Sequence, residues 1–214
     1  MLPSILKIRI LRYAYEDTHM KCLVVLAHPL SRSFSHAVAT TVVDTLKKNG
    51  HEHKLIDLYR SGFDPRLTDS ERAEYYENFD RTALEKEITD LQWAESIILV
   101  FPTWWFGPPA ILKGWFDRVW APSIAFDHAE DLGSIKPRLN SLRKVVAFTT
   151  LGSPWWVDYF ILRRPVRRVL KTAILGTCAP QASFKFMSFY RAERIGNEVA
   201  QTTMDRVRVA IEAL

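Results

Sequence analysis

Apolar and polar positions along this chain follow two periods that alternate. Largely apolar runs, as expected of parallel strands covered on both faces, lie at Cys22–Ala27, Ser96–Phe101 and Lys144–Thr150. His53–Leu58 predicts the second strand in chain order, and a stretch within Thr177–Phe186 predicts the fifth. Between these runs the spacing turns helical. Phe34, Val38, Val42 and Leu46 share one face that Asn49-Gly50 ends, and Leu84, Ile88 and Leu91 share another. A helix opened by Pro109 runs to Trp120, helical periodicity returns around Tyr159–Lys171, and Val199, Val207, Ile211 and Leu214 line a terminal helix. Five strands alternating with helices predict an α/β fold, a doubly wound parallel sheet in the order 2-1-3-4-5.

The 214 residues, 48% of them hydrophobic, suffice for one domain with a real core. Residues 1–19 stand apart. Lys7, Arg9 and Arg12 interrupt their apolar stretch, which fits neither a signal peptide nor a spanning helix. Met20-Lys21 leads straight into the first strand, so residues 1–19 read as an extension outside the fold and residues 20–214 as the single domain.

Charge and cysteine content narrow the function classes. The net charge is +5, with basic residues gathered in Arg163-Arg164-Pro165-Val166-Arg167-Arg168-Val169-Leu170-Lys171. Interleaved Val166, Val169 and Leu170 make that stretch one solvated helix face, with anion binding as the functional alternative. No helix-turn-helix, zinc or ribonucleoprotein signature accompanies it, which argues against nucleic acid. Cys22 and Cys178 form no CxxC, no His, Cys or carboxylate spacing suggests a metal, and the expected compartment is the reducing cytoplasm.

In this topology the loops after strands one, three and four share the carboxyl edge of the sheet, where open α/β sheets bind ligands. The first, His28-Pro29-Leu30-Ser31-Arg32-Ser33-Phe34-Ser35, places hydroxyls and an imidazole at a helix N-terminus, a setting that attracts phosphate. Ser33 or Ser35 serves equally well as a plain N-cap. The second, Pro102-Thr103-Trp104-Trp105-Phe106, is a proline-stiffened aromatic loop suited to a planar ligand, with backbone N–H groups from Thr103 to Phe106 able to meet ring acceptors. The third, Thr149-Thr150-Leu151-Gly152-Ser153, adds hydroxyls and a glycine where backbone can approach a ligand. Neither GxGxxG nor a Walker motif is present.

The run Phe-Pro-x-x-Trp-Phe-Gly-x-Pro-Ala-Ile-Leu-Lys-Gly-Trp-Phe-Asp-Arg-Val from Phe101 to Val119, with Ala27-His28, Ser33-Phe34, Leu58-Tyr59 and Phe63-Asp64-Pro65, resembles the flavodoxin-like NAD(P)H:quinone oxidoreductases. The resemblance covers residues 21–152 well and the last sixty loosely. It implies a flavin, FAD with FMN as the alternative, and NAD(P)H as co-substrate. His28, Ser33, Phe34 and Ser35 would hold its phosphates and ribityl side. Pro102, Thr103, Trp104, Trp105 and Phe106 would cradle the isoalloxazine, with Thr149, Thr150 and Gly152 on the pyrimidine side. Ala125, Phe126, Asp127 and His128 would position substrate, reaching the other subunit's flavin in a homodimer. Trp115, Phe116, Val119 and Trp120 would be buried against both sheet and partner. The implied reaction is ping-pong hydride transfer to a quinone or similar planar acceptor.

The match breaks in two places. Mammalian members carry Thr-Thr-Gly-Gly where Leu151 stands here, and they place a Tyr and a His downstream where this chain reads Ser153-Pro154-Trp155-Trp156-Val157-Asp158-Tyr159. Tyr159 is a substitute proton donor or a packed helix-start residue, and His128 a donor to a quinone oxygen or a solvated loop residue. An electron carrier of flavodoxin type is disfavoured by the basic charge and by His28. A flavin-binding ancillary subunit docked on a membrane transport system, through Arg163–Lys171, is the second reading.

Overall fold

The computed structural model describes residues 19–75, 80, 82–128 and 134–214. The expectation for residues 1–18 lies outside the described residues; His19 already packs against His51, ring centroids 6.2 Å apart. Strands β1 (Lys21–Leu26), β2 (Glu52–Asp57), β3 (Ser96–Pro102), β6 (Lys144–Leu151) and β7 (Ser183–Tyr190) form one five-stranded sheet in the order β2-β1-β3-β6-β7. Every pairing in it is parallel, and the order is the 2-1-3-4-5 expected from the alternation of strands and helices. The short strands β4 (Phe126–Asp127) and β5 (Lys136–Pro137) pair antiparallel outside it.

Side-chain alternation along the central strands builds two cores. Leu23, Val25, Ile97, Leu99, Val145 and Ala147 face helices α3 (Glu85–Trp93) and α4 (Ala110–Val119). Cys22, Val24, Leu26, Ile98, Val100, Val146 and Phe148 face α1 (Phe34–Lys48) and the terminal helix α6 (Asn197–Glu212). Burial on both faces is why these strands read as unbroken apolar runs rather than as alternating ones.

Three expectations need correction. The fifth strand, expected within Thr177–Phe186, starts inside that stretch at Ser183 and runs past its end to Tyr190, because Pro180 has no N–H for a ladder and residues around it close a turn instead. Helicity across Tyr159–Lys171 is broken: a wide turn over Val157–Ile161 ends, Arg163 and Arg164 take positive φ (55° and 52°), and α5 (Pro165–Arg168) starts afresh before a second wide turn, Val169–Leu175. Pro165 disfavours a right-handed helical residue before it and is well suited to the first helical position, so it sets the break. Val199 is exposed, one turn before Thr203, the first buried residue of α6.

Helix α4 is locked in place by residues on one face. Gly114 lies so close to the Phe63–Pro65 segment that a Cβ there would stand 2.2 Å from the Pro65 carbonyl oxygen. One turn on, Arg118 is buried, donates to the Asp64 carbonyl, and pairs with the equally buried Glu71. Glu71 also closes a capping box with Thr68 on α2 (Asp69–Ala73). Burial alone would raise the Glu71 carboxyl, but its bonds from Arg118 and the Thr68 N–H outweigh that and hold it below its ordinary value. Trp115, Phe116, Val119 and Trp120 are all buried inside the single chain, so their burial calls for no partner, contrary to the expectation for this helix.

Candidate active site

The carboxyl ends of β1, β3 and β6 converge as the topology requires, and the first wall of the site is the turn into α1. Ala27 N–H donates to Val100 O, carrying the β1 path one residue past the strand to His28. His28 Nδ1 accepts from Leu30 N–H at 3.1 Å, which leaves the neutral ring with its proton on Nε2. Burial holds His28 below the ordinary histidine value, reinforced by nearby His36 and opposed by the Leu30 bond and Asp57. Ser33 is the N-cap: its hydroxyl accepts from His36 N–H at 3.2 Å and lies 2.9 Å from His36 Nδ1. Ser35, not Ser33, lines the cleft beside Phe34. The N–H groups of Phe34 and Ser35 have no protein acceptor among the described residues, as the first turn of a helix dictates.

The aromatic loop is tighter than its sequence suggests. Thr103 N–H donates to Thr150 O, and Trp104 and Gly107 exchange backbone hydrogen bonds at 3.0 and 2.9 Å. These bonds take the Thr103 and Trp104 N–H groups out of play for a ligand, contrary to the expectation that all four from Thr103 to Phe106 would serve. Trp105 and Phe106 form the two-residue turn between, both at positive φ (48° and 56°), and their N–H groups have no protein acceptor among the described residues. Left-handed backbone in such bulky residues costs about 1 kcal/mol or more each, strain of the kind stored at binding sites. Trp105 is 100% exposed.

Facing this loop, Thr149 Oγ1 lies 2.7 Å from Thr103 Oγ1 and ties β6 to β3 below the cleft floor. Thr150, Leu151 and Gly152 line the cleft itself. Its fourth wall is Arg191, Ala192 and Glu193, which follow a fifth strand that ends at Tyr190, beyond the Thr177–Phe186 stretch expected to hold it. With β7 ending at Tyr190, beside Leu151, the next loop necessarily reaches the same edge. A cavity of 270 Å³ spans His28, Phe34, Ser35, Pro102, Thr103, Trp104, Thr150 and Glu193. Neighbouring hollows of 320 and 180 Å³ share Gly152 with it, the second reaching Trp105 and Phe106.

Other expected site residues lie elsewhere. Ala125 is fully buried, Phe126 packs against His128 with ring centroids 5.1 Å apart, and Asp127 pairs with Arg138 at 2.8 Å. None of these four lines the cleft of its own chain. Tyr159 does not line it either; its ring lies under the Arg164 guanidinium, 4.3 Å away, and edge-on to Trp155. Tyr190 donates to the buried Asp158 at 2.7 Å, and burial, with this bond, pushes its phenol well above the ordinary value. Trp155, Trp156, Phe160, Ile161 and Leu162 are exposed together. His36 and Asp57, 3.1 Å apart beside Ser33, leave no mark in the sequence, because α1 and the end of β2 meet only in the folded chain.

These residues fit a flavin. Unpaired N–H groups at Phe34 and Ser35 suit phosphate, and those at Trp105 and Phe106 suit ring acceptors. At Gly152 an added Cβ would stand 3.4 Å from Glu193 Oε1, in a wall that a larger residue would fill. Among the described residues no cluster of His, Cys, Asp and Glu could hold a metal ion, and no helix is long and apolar enough to cross a membrane.

The family model described as flavodoxin-like fold matches residues 20–211. A ribosyldihydronicotinamide dehydrogenase-like protein of Penicillium crustosum is 33% identical over 88% of this chain and 80% of its own length. The ribosyldihydronicotinamide dehydrogenase [quinone] of Rattus norvegicus is 34% identical over 62% of this chain and 64% of its own. The chain spans about half to two thirds of the length of the mammalian relatives it matches, 54% for the human form. A solved structure from Streptococcus mutans, 28% identical, superposes with a TM-score of 0.78 over 91% of this chain and all of that one. By its sheet order, the cleft at its strand ends and this match, the chain belongs to the flavodoxin-like fold family and is related within it to the NAD(P)H and ribosyldihydronicotinamide quinone dehydrogenases.

Proposed function

We propose that this chain is a cytoplasmic, flavin-dependent NAD(P)H oxidoreductase that passes electron pairs to quinones or similar planar acceptors, working as a homodimer. The observation that carries the reading is the strained Trp105-Phe106 turn, whose N–H groups stand without acceptors among the described residues, beside a cleft at the carboxyl ends of β1, β3 and β6. A flavin bound there, FAD or FMN, supplies the two-electron chemistry that links NAD(P)H to the acceptor. The chain's part is orientation and charge. Trp105 and Phe106 N–H would hold the ring edge of such a group, as donors already fixed in position that need no reorganisation. Thr150 and Gly152 leave room for the opposite edge. Neutral His28 donates through Nε2 toward the phosphate end, and Ser35 offers a hydroxyl in the same wall. Trp104 and Trp105 offer flat faces on which a planar acceptor stacks.

The dimer rests on two observations. Ala125–His128 do not reach the cleft of their own chain, and the Trp155–Leu162 surface is a large exposed apolar patch of the kind that marks an interface. Purification, flavin identification and stopped-flow reduction by NADH and NADPH test the reading. Bound flavin reduced within milliseconds to seconds and reoxidised by a quinone supports it, whereas a colourless protein that takes up neither flavin overturns it.

A second reading, an ancillary subunit docked on a membrane transport system, draws on exposed Arg163, Arg168 and Lys171 next to that patch. Neutralising these three separates the roles. NADPH oxidation is unchanged if they dock a partner, and the Michaelis constant for NADPH rises if they bind its phosphates.

A further inference from the structure

The walls of the cleft differ in what they offer a ligand. Along α1 and the aromatic turn the groups left over are donors: the N–H groups of Phe34, Ser35, Trp105 and Phe106, and the Nε2–H of neutral His28. The fourth wall is the opposite. Glu193 lines both the 270 Å³ cavity and the 320 Å³ hollow beside it, and a carboxylate can only accept. Among the residues that line these spaces and the 180 Å³ hollow, no other side chain is acceptor-only, since the Ser and Thr hydroxyls serve either way.

The position of Glu193 is built into the backbone. Strand β7 runs beside β6 as far as Tyr190, level with Leu151, and Arg191 then turns the chain with a positive φ of 54°. Left-handed backbone outside glycine is strained, and strain of this kind gathers where ligands are held. Arg191 N–H donates to the Ser153 carbonyl at 3.4 Å, and one short helical turn, Ala192–Arg194, follows. Glu193 Oε1 thereby comes to 3.4 Å from where a Cβ of Gly152 would stand. The carboxylate is exposed and has no hydrogen-bond or ion-pair partner among the described residues, neighbouring Arg191 included.

An accepting wall opposite donating ones fits a planar ligand that presents both kinds of group. The flavin reading puts the pyrimidine side at Thr150 and Gly152, and that part of the ring carries an imide N–H between two carbonyl oxygens. We infer that Glu193 is a specificity-determining residue, which accepts the hydrogen bond of this imide N–H and so selects rings that bear one. The role rests on the flavin reading of the cleft. A ring without the N–H is rejected because it covers the carboxylate and gives it nothing in place of water.

Equilibrium titration of the full chain with FMN and FAD, each beside its counterpart methylated at the imide nitrogen, tests this. Phosphate contacts are common to both members of a pair and cancel. The wild type binds the unmethylated flavin at least about tenfold more tightly, the size expected of one hydrogen bond to a charged group. Glu193→Gln keeps a smaller preference, because its side-chain carbonyl still accepts. Glu193→Met keeps the length of the side chain without an acceptor: it weakens the unmethylated flavin by about tenfold or more and leaves the methylated one unchanged or tighter. Equal loss of both in Glu193→Met, or no loss of either, overturns the role of Glu193, as does a wild type that binds the pair equally. A wild type that takes up neither FMN nor FAD overturns the flavin reading and this role with it, so the two failures look different.

Discussion

The Phe101–Trp120 stretch divides into halves that the fold treats in opposite ways. The helix Ala110–Val119 is locked by three sets of contacts: Trp115 and Phe116 in the core, Gly114 against Pro65, and Arg118 between Glu71 and the Asp64 carbonyl. The loop before it is strained, exposed at Trp105 and, among the described residues, short of acceptors at two N–H groups. One half is a scaffold and the other borders the candidate site. Rigidity in the first is what lets the second hold an unfavourable backbone, since a strained turn persists only when its surroundings over-determine it.

Four substitutions or conditions test that division. The largest expected effect is Glu71→Ala, which strands the buried Arg118 charge and costs about 3–5 kcal/mol. Chemical denaturation measures it, and a loss below about 1 kcal/mol would mean that the pair does not lock the helix. Next comes Gly114→Ala, whose new methyl group collides with backbone at Pro65, so helix or loop must shift at a cost of about 1–3 kcal/mol. Thermal unfolding of this variant shows a lowered midpoint together with weakened flavin binding, because the scaffold moves the site.

The opposite signature is expected from the double substitution Trp105→Asn with Phe106→Gly, which installs the pair that two-residue left-handed turns favour. Stability rises by about 1 kcal/mol while flavin and acceptor binding weaken. A variant with lower stability would refute stored strain in the turn. The smallest effect is acid sensitivity at the sheet's opposite end. His51 Nδ1 accepts from Met20 N–H, and burial, then nearby His19, hold the ring below the ordinary 6.5. As pH falls below 6.5 the unfolded chain binds a proton that the folded chain resists, so stability present above that value is lost progressively. Melting midpoints that are level from pH 8 to 7 and decline below 6.5 bear this out, with loss of hydrogen-exchange protection at the Met20 N–H relative to its intrinsic rate.

Much of the scaffold was legible from the chain because its causes are local. Both-face burial writes β1, β3 and β6 as apolar runs, and Pro109 marks where α4 opens. The locking pair was not legible, since Glu71 and Arg118 meet only after the Phe63–Thr68 segment crosses the helix. On the site, the resemblance named the residues of three walls, but not which polar groups remain available. Ser33 spends its hydroxyl on His36, and Thr103 and Trp104 spend their N–H groups on Thr150 and Gly107. The wall at Arg191–Glu193 was lost through one strand boundary, the end of β7 at Tyr190. The left-handed pair Arg163-Arg164 leaves no periodic trace, although Pro165 announces the break.

The central claim is that the cleft beside the strained turn holds a flavin, and Gly152 offers the cleanest handle on it. Its backbone is not left-handed and a Cβ there meets only Glu193 at ordinary contact, so a bulky side chain fills the cleft without straining the fold. The decisive measurement is equilibrium titration of the wild-type chain and of Gly152→Phe with FAD and FMN, followed by quenching of tryptophan fluorescence. The account predicts saturable binding of one flavin per wild-type chain and an affinity at least about tenfold weaker, or about 1.4 kcal/mol, in the variant at unchanged melting temperature. No binding by the wild type, or equal binding by both, would contradict it.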